Sequence, residues 1–71
     1  MERNYVSSSM ILSIGYEEET STLEVEFKSN NQVWNYYDVP SYIYDEFHTN
    51  ESCGKYFHSN IRGKYAESRI A

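Results

Sequence analysis

Apolar and polar positions alternate most cleanly over residues 22–28. Leu23, Val25 and Phe27 point one way, and Thr22, Glu24, Glu26 and Lys28 point the other. That period-two pattern predicts a strand with one wet face. Residues 9–17 predict an earlier strand through Met10, Leu12, Ile14 and Tyr16. Ile11 falls on the opposite face, so both faces are partly covered or the strand is bulged. Residues 32–38 predict a third strand carrying Val33, Trp34, Tyr36 and Tyr37, after a hairpin turn at Ser29-Asn30-Asn31. Asparagine tolerates the positive φ that tight hairpins demand. Residues 1–8 read as polar and partly loose, and Tyr65 to Ala71 as a short tail.

Pro40 stops the sheet and suits the first turn of a helix. Ile43 and Phe47 then lie four apart, with Tyr44 beside them. The break at Thr49-Asn50 precedes a second helix, with Ser52 as its N-cap and Gly63 placed to end it. Cys53, Phe57 and Ile61 share one face of that helix. Lys55, His58, Ser59 and Arg62 share roughly the opposite one. The expected fold is α+β, a three-stranded antiparallel meander followed by two helices packed on one face, in the order β-β-β-α-α.

Seventy-one residues make one domain, with its core expected over about residues 6–65. Such a chain buries only about 60% of its unfolded surface. A core of this size supplies roughly 3–5 kcal/mol. Cys53 is the only cysteine, so no intramolecular disulfide adds to that. Eight Tyr, three Phe and one Trp compensate with large buried areas. Monomer and homo-oligomer both remain open. The free cysteine suits a reducing compartment. No apolar run approaches a membrane span, and the N-terminal residues lack a signal-peptide stretch, so a cytoplasmic protein is expected.

Charge changes the picture more than composition does. The net charge is −5. Residues 1–51 hold ten acids against Arg3 and Lys28; residues 52–71 hold Glu67 against Lys55, Arg62, Lys64 and Arg69. Overall acidity argues against a non-specific DNA coat, which needs many phosphate contacts. It leaves room for a local anion site on the C-terminal third.

Four fragments resemble the KTSC domain, a short bacterial and phage module found alone and at the C-terminus of some lysyl-tRNA synthetases. They are Val6-x-Ser8-x-x-Ile11-x-x-Ile14-x-Tyr16, Leu23-x-Val25-x-Phe27, Trp34-x-Tyr36-x-x-Val39-Pro40 and Ser52-x-Gly54-x-Tyr56-Phe57-x-x-x-Ile61-Arg62-x-x-Tyr65. Together they cover Val6 to Tyr65 in family-like order. Trp34 stands where the family has Tyr, His58 where Asn is usual, and Asn30-Asn31 in a turn that usually holds Gly. The resemblance implies no established activity, and its synthetase context implies an RNA ligand by analogy.

The residues themselves offer two sets of contacts. Ser52, Gly54, Lys55, His58 and Arg62 form a candidate anion site at a helix N-terminus, where N–H groups and a partial positive charge converge. The same residues also read as a serine cap, a packing glycine and solvated bases. Trp34, Tyr36, Tyr37 and Tyr56 are candidate stacking surfaces; Trp34 and Tyr36 read first as core aromatics, Tyr37 as the more accessible ring, and Tyr56 as part of the surround of the helix pair. No P-loop spacing is present. His48, Cys53 and His58 are too few and too spread for structural zinc, and Cys53 and His58 sit on different faces for nucleophilic chemistry. The expectation is a non-catalytic module, without cofactor, metal or membrane, that binds RNA or a nucleotide. The alternative is a module, such as a small phage effector, that binds or inhibits a protein through its acidic, tyrosine-rich surface.

Overall fold

Two helices lie on one face of an antiparallel sheet in the computed structural model, which describes residues 2–71. The elements are β1 (Arg3–Tyr5), β2 (Ile11–Glu17), β3 (Thr22–Phe27), β4 (Val33–Tyr36), α1 (Ser41–Thr49), α2 (Cys53–Asn60) and β5 (Glu67–Arg69). The strands lie in sequence order, each antiparallel to the next.

The expected meander is the centre of this sheet, β2 to β4, and the expectation of only three strands is corrected to five. Both additions are three residues long, and none of their residues enters the core. They were expected as a loose start, whose Met1 lies outside the described residues, and as a tail. Neither carries an apolar alternation, because neither adds a side chain to the core. Backbone pairing holds them: Arg3 opposes Gly15, and Glu67 opposes Tyr36. The Ile70 amide donates to the Val33 carbonyl at 2.8 Å, and the Tyr37 amide to the Ala66 carbonyl at 2.9 Å.

β2 resolves its own ambiguity with a bulge. The register shifts between Ile11 and Ser13, so Ile11 opposes Phe27 and Ser13 opposes Glu26. One extra residue, Leu12, lets Ile11 and Ile14 both reach the helix side, where both are fully buried. The turn after β3 closes as its asparagines require. Asn31 has φ 56°, and its amide donates to the Phe27 carbonyl at 3.1 Å. β4 is shorter than the expected 32–38, since Asp38 turns the chain with φ 57°.

Cross-strand register puts Ile14, Leu23, Val25, Phe27, Trp34 and Tyr36 on the helix side. Ile43 and Phe47 of α1 and Cys53, Tyr56 and Phe57 of α2 close the core from above. Phe57 meets Phe27 and Tyr36 edge-on at centroid distances of 5.4 and 5.6 Å. Such edge-to-face pairs add to the area they bury. The Cys53 thiol donates to the Phe47 carbonyl at 3.3 Å and ties the two helices together.

The other sheet face is open and polar. Arg3 Nη1 meets Glu24 Oε2 at 2.8 Å, and the Ser13 hydroxyl donates to Glu26 Oε1 at 2.9 Å. Gly15 sits below this network, where the N-terminal segment crosses. A Cβ there would fall 2.5 Å from the Glu2 carbonyl oxygen. Gly15→Ala must therefore push β1 off the sheet edge. We expect a loss of about 1–3 kcal/mol in urea unfolding, with faster amide exchange in β1. Wild-type stability would show that the crossing is not tight.

Candidate functional site

Packing Phe57 and Ile61 inward forces the opposite face of α2 outward. Lys55 and His58 are three apart, and Arg62 follows four later, just past the helix. All three are exposed. Arg62 Nη1 lies 3.4 Å from His58 Nδ1. Among the described residues, the ion pairs are Arg3 with Glu24 and Glu26, and His48 with Asp45. Lys55 and Arg62 therefore have no carboxylate partner there.

The start of α2 opens into a cleft of about 410 Å³. One wall is Glu51 to Lys55 with His58; the other is the β1–β2 loop, Ser7 to Met10. Ser52 occupies the N-cap position, but its side chain makes no capping hydrogen bond. Its own amide donates instead to Asn50 Oδ1 at 2.9 Å. The first amides of a helix have no intrahelical acceptor. The Ser8 hydroxyl accepts from the Met10 and Ile11 amides, which fixes the facing loop. A Cβ on Gly54 would meet Ser8 Oγ and Met10 Cε at ordinary contact distance, 3.7 Å. Fold geometry thus tolerates alanine at this position.

A second cleft of about 510 Å³ lies between α2 and the β3–β4 hairpin. Trp34, Tyr36, His58 and Arg62 all line it. His58 and Met10 belong to both clefts and join them. Seven of the nine residues singled out from sequence thus meet along one surface. The other two lie elsewhere. Tyr56 is 8% exposed and its hydroxyl donates to Glu46 Oε1 at 2.7 Å, so it faces the helix pair. Tyr37 lines neither cleft. Sequence reading missed Ser7–Met10, Asn30, Gln32 and Glu67, which reach the clefts only through sheet topology. The three consecutive serines at 7–9 were the one local signal.

Comparison with known proteins identifies the family. The KTSC domain model matches residues 7–65. The chain belongs to the KTSC domain family. It is 36% identical over 63 residues to a lysine–tRNA ligase of Trichormus variabilis and 35% identical to one of Nostoc punctiforme. Each alignment takes in 89% of this chain but 11% of the ligase. The KTSC chain therefore spans about a tenth of those relatives' length. The crystal structure of a KTSC domain protein from Yersinia pestis is 36% identical and superposes with a TM-score of 0.94, covering 99% of this chain and 97% of that one. No helix among the described residues is long and apolar enough to cross a membrane.

The electrostatics of the second cleft carry a pH signature. Burial first, then the charge of Glu67, pushes the Tyr36 phenol up to about 12, with Arg62 acting in the opposite direction. The unfolded phenol titrates near 10.0. Above that pH the unfolded chain loses a proton that the folded domain keeps, so stability falls with rising pH up to about 12. We expect urea midpoints to drop between these values, and to drop less in Tyr36→Phe. Equal slopes in the two proteins would assign the alkaline loss to other groups.

Proposed function

We propose that this KTSC domain is a non-catalytic binding module for RNA or a nucleotide, with the exposed face of α2 as its phosphate-contacting surface. One observation carries the reading. Lys55, His58 and Arg62 line two joined clefts, and neither Lys55 nor Arg62 has a carboxylate partner among the described residues, on a chain of net charge −5. Elsewhere, Arg3 is engaged by Glu24 and Glu26. Cations left unneutralised on an acidic body are poised for an anion. Uncapped amides beside Gly54 add donors for phosphate oxygens. The lysine–tRNA ligases among the relatives act, by name, on a tRNA, and this supports RNA as the polyanion.

In this reading Lys55 contacts one phosphate and Arg62 another. Ser52 and Gly54 shape the end of the first cleft, and His58 bridges to the second. Trp34 lies where an unstacked base would arrive, whereas Tyr36, expected as a stacking surface, is only 3% exposed and belongs to the core. The acidic sheet face, with Glu24 and Glu26, turns away from the ligand and repels it.

Reversing both cations tests this directly. Lys55→Glu with Arg62→Glu should leave the circular dichroism spectrum unchanged and weaken binding of a labelled single-stranded RNA at least tenfold. The slope of log K against log salt should fall by about 1.4, at roughly 0.7 per single-strand phosphate contact. Unchanged affinity removes the proposal. A partner that is retained from lysate after nuclease treatment, and lost on changing the exposed Tyr5 or Tyr42, replaces it with a protein-binding function. Gly54→Ala gives a finer readout. It should preserve or slightly raise stability, because alanine is the better helix former by about 0.5–1 kcal/mol, yet weaken binding by narrowing the first cleft.

A further inference from the structure

We infer that the second cleft is a nucleobase subsite, in which one base stacks on Trp34 and turns a donor-bearing edge toward Glu67. This rests on the RNA reading above and specifies what that ligand presents. The cleft is lined by apolar Met10, Phe27 and Trp34 together with polar Gln32, Arg62 and Glu67. A volume of about 510 Å³ lies within the range of small-molecule sites. A lining that mixes apolar side chains with a few polar groups suits a flat heterocycle with polar edges better than it suits a phosphate.

Trp34 is also held in place. Its indole N–H donates to Gln32 Oε1 at 3.1 Å, so the ring is oriented before any ligand arrives. The side chain is only half-buried, unlike Tyr36, and so retains surface to offer. Preorganised aromatic faces bind unstacked bases with little sequence preference, and edge contacts then supply what preference there is. Glu67 reaches this cleft because β5 pairs with β4, placing it opposite Tyr36 on the helix side. Its carboxylate only accepts hydrogen bonds. Guanine offers N1–H and N2–H₂ donors on its Watson–Crick edge, whereas uracil offers two carbonyls flanking one N–H. The lining therefore favours guanine over uracil.

Other aromatics lack this combination. Tyr5 is 80% exposed, but it lies with Glu24 and Glu26 on the sheet face away from Lys55 and Arg62. Tyr56 is spent on Glu46, and Tyr37 lies outside the clefts. Tyr36 and Phe57 line the same cleft beside Arg62 but are each only 3% exposed, whereas Trp34 keeps surface to offer there.

Trp34 is the sole tryptophan, so its emission reports directly on this cleft. The test titrates the full chain with three labelled hexamers: a uridine strand with one central guanosine, an all-uridine strand, and an abasic strand of equal length. Anisotropy reads binding, and tryptophan emission reads stacking. We expect the guanosine strand to bind about tenfold more tightly than the all-uridine strand, one well-formed contact being worth about that factor. Trp34 should be quenched by both base-bearing strands and unaffected by the abasic one. Glu67→Gln should erase the guanosine preference while keeping the quench. Trp34→Leu should weaken the base-bearing strands about tenfold and spare the abasic strand.

Binding that Lys55→Glu with Arg62→Glu abolishes, but that leaves Trp34 emission unchanged, overturns the base subsite and keeps the RNA reading. Equal quenching by the abasic strand overturns it as well. A guanosine preference that survives Glu67→Gln overturns the assigned edge contact. No binding of any hexamer removes the subsite and the RNA reading together.

Discussion

Phe57 is the contact on which this small domain depends. Its ring meets Phe27 of β3, Tyr36 of β4 and Phe47 of α1, at 5.4, 5.6 and 6.3 Å between centroids. One side chain therefore joins the sheet to both helices. A core built from a single sheet face has little to spare, and this aromatic junction sets the rotation of α2 about its own axis. Once Phe57 points down, helical spacing turns Lys55 and His58 away from the core. With Arg62, just past the helix, they line the two clefts.

The same constraint explains how acidity and anion binding coexist in one small molecule. Glu24 and Glu26 alternate with the core residues Leu23, Val25 and Phe27 along β3, so they are confined to the far face of the sheet. Arg3 and Ser13 gather there and satisfy them. Lys55 and Arg62 are left on the other side of the core, where among the described residues neither forms an ion pair. Core packing, acting through two different periodicities, separates the charges.

Features with a strong local period were legible in the sequence. The alternation of β3, the asparagine turn and the apolar stripe of α2 each follow from a few residues, and each stands where its pattern puts it. The edge strands were not legible. Arg3-Asn4-Tyr5 and Glu67-Ser68-Arg69 add no side chain to the core, so no apolar alternation marks them and their pairing is written in the neighbouring strands' free backbone groups. The site divides the same way. The faces of α2 could be assigned from helical spacing alone. That Ser8 would face Gly54, or that Glu67 would reach the cleft beside Arg62, depends on contacts between residues more than thirty positions apart or on a strand that had no signature. Tyr56 was legible too: three residues after Cys53 and one before Phe57, helical spacing puts it beside the buried face, where its hydroxyl donates to Glu46.

The bulge at Leu12 has a consequence for how this architecture could drift. Without that residue, β2 would pair regularly with β3, since Ile11 already opposes Phe27 and Ser13 already opposes Glu26. A chain one residue shorter would own the tidier ladder. Yet the irregularity comes straight after the serine segment that walls the first cleft, and added twist at that point steers the segment relative to Gly54. Sheet regularity and cleft shape are thus competing demands on a single position, and relatives that lose the spare residue should differ in what they hold more than in how they fold.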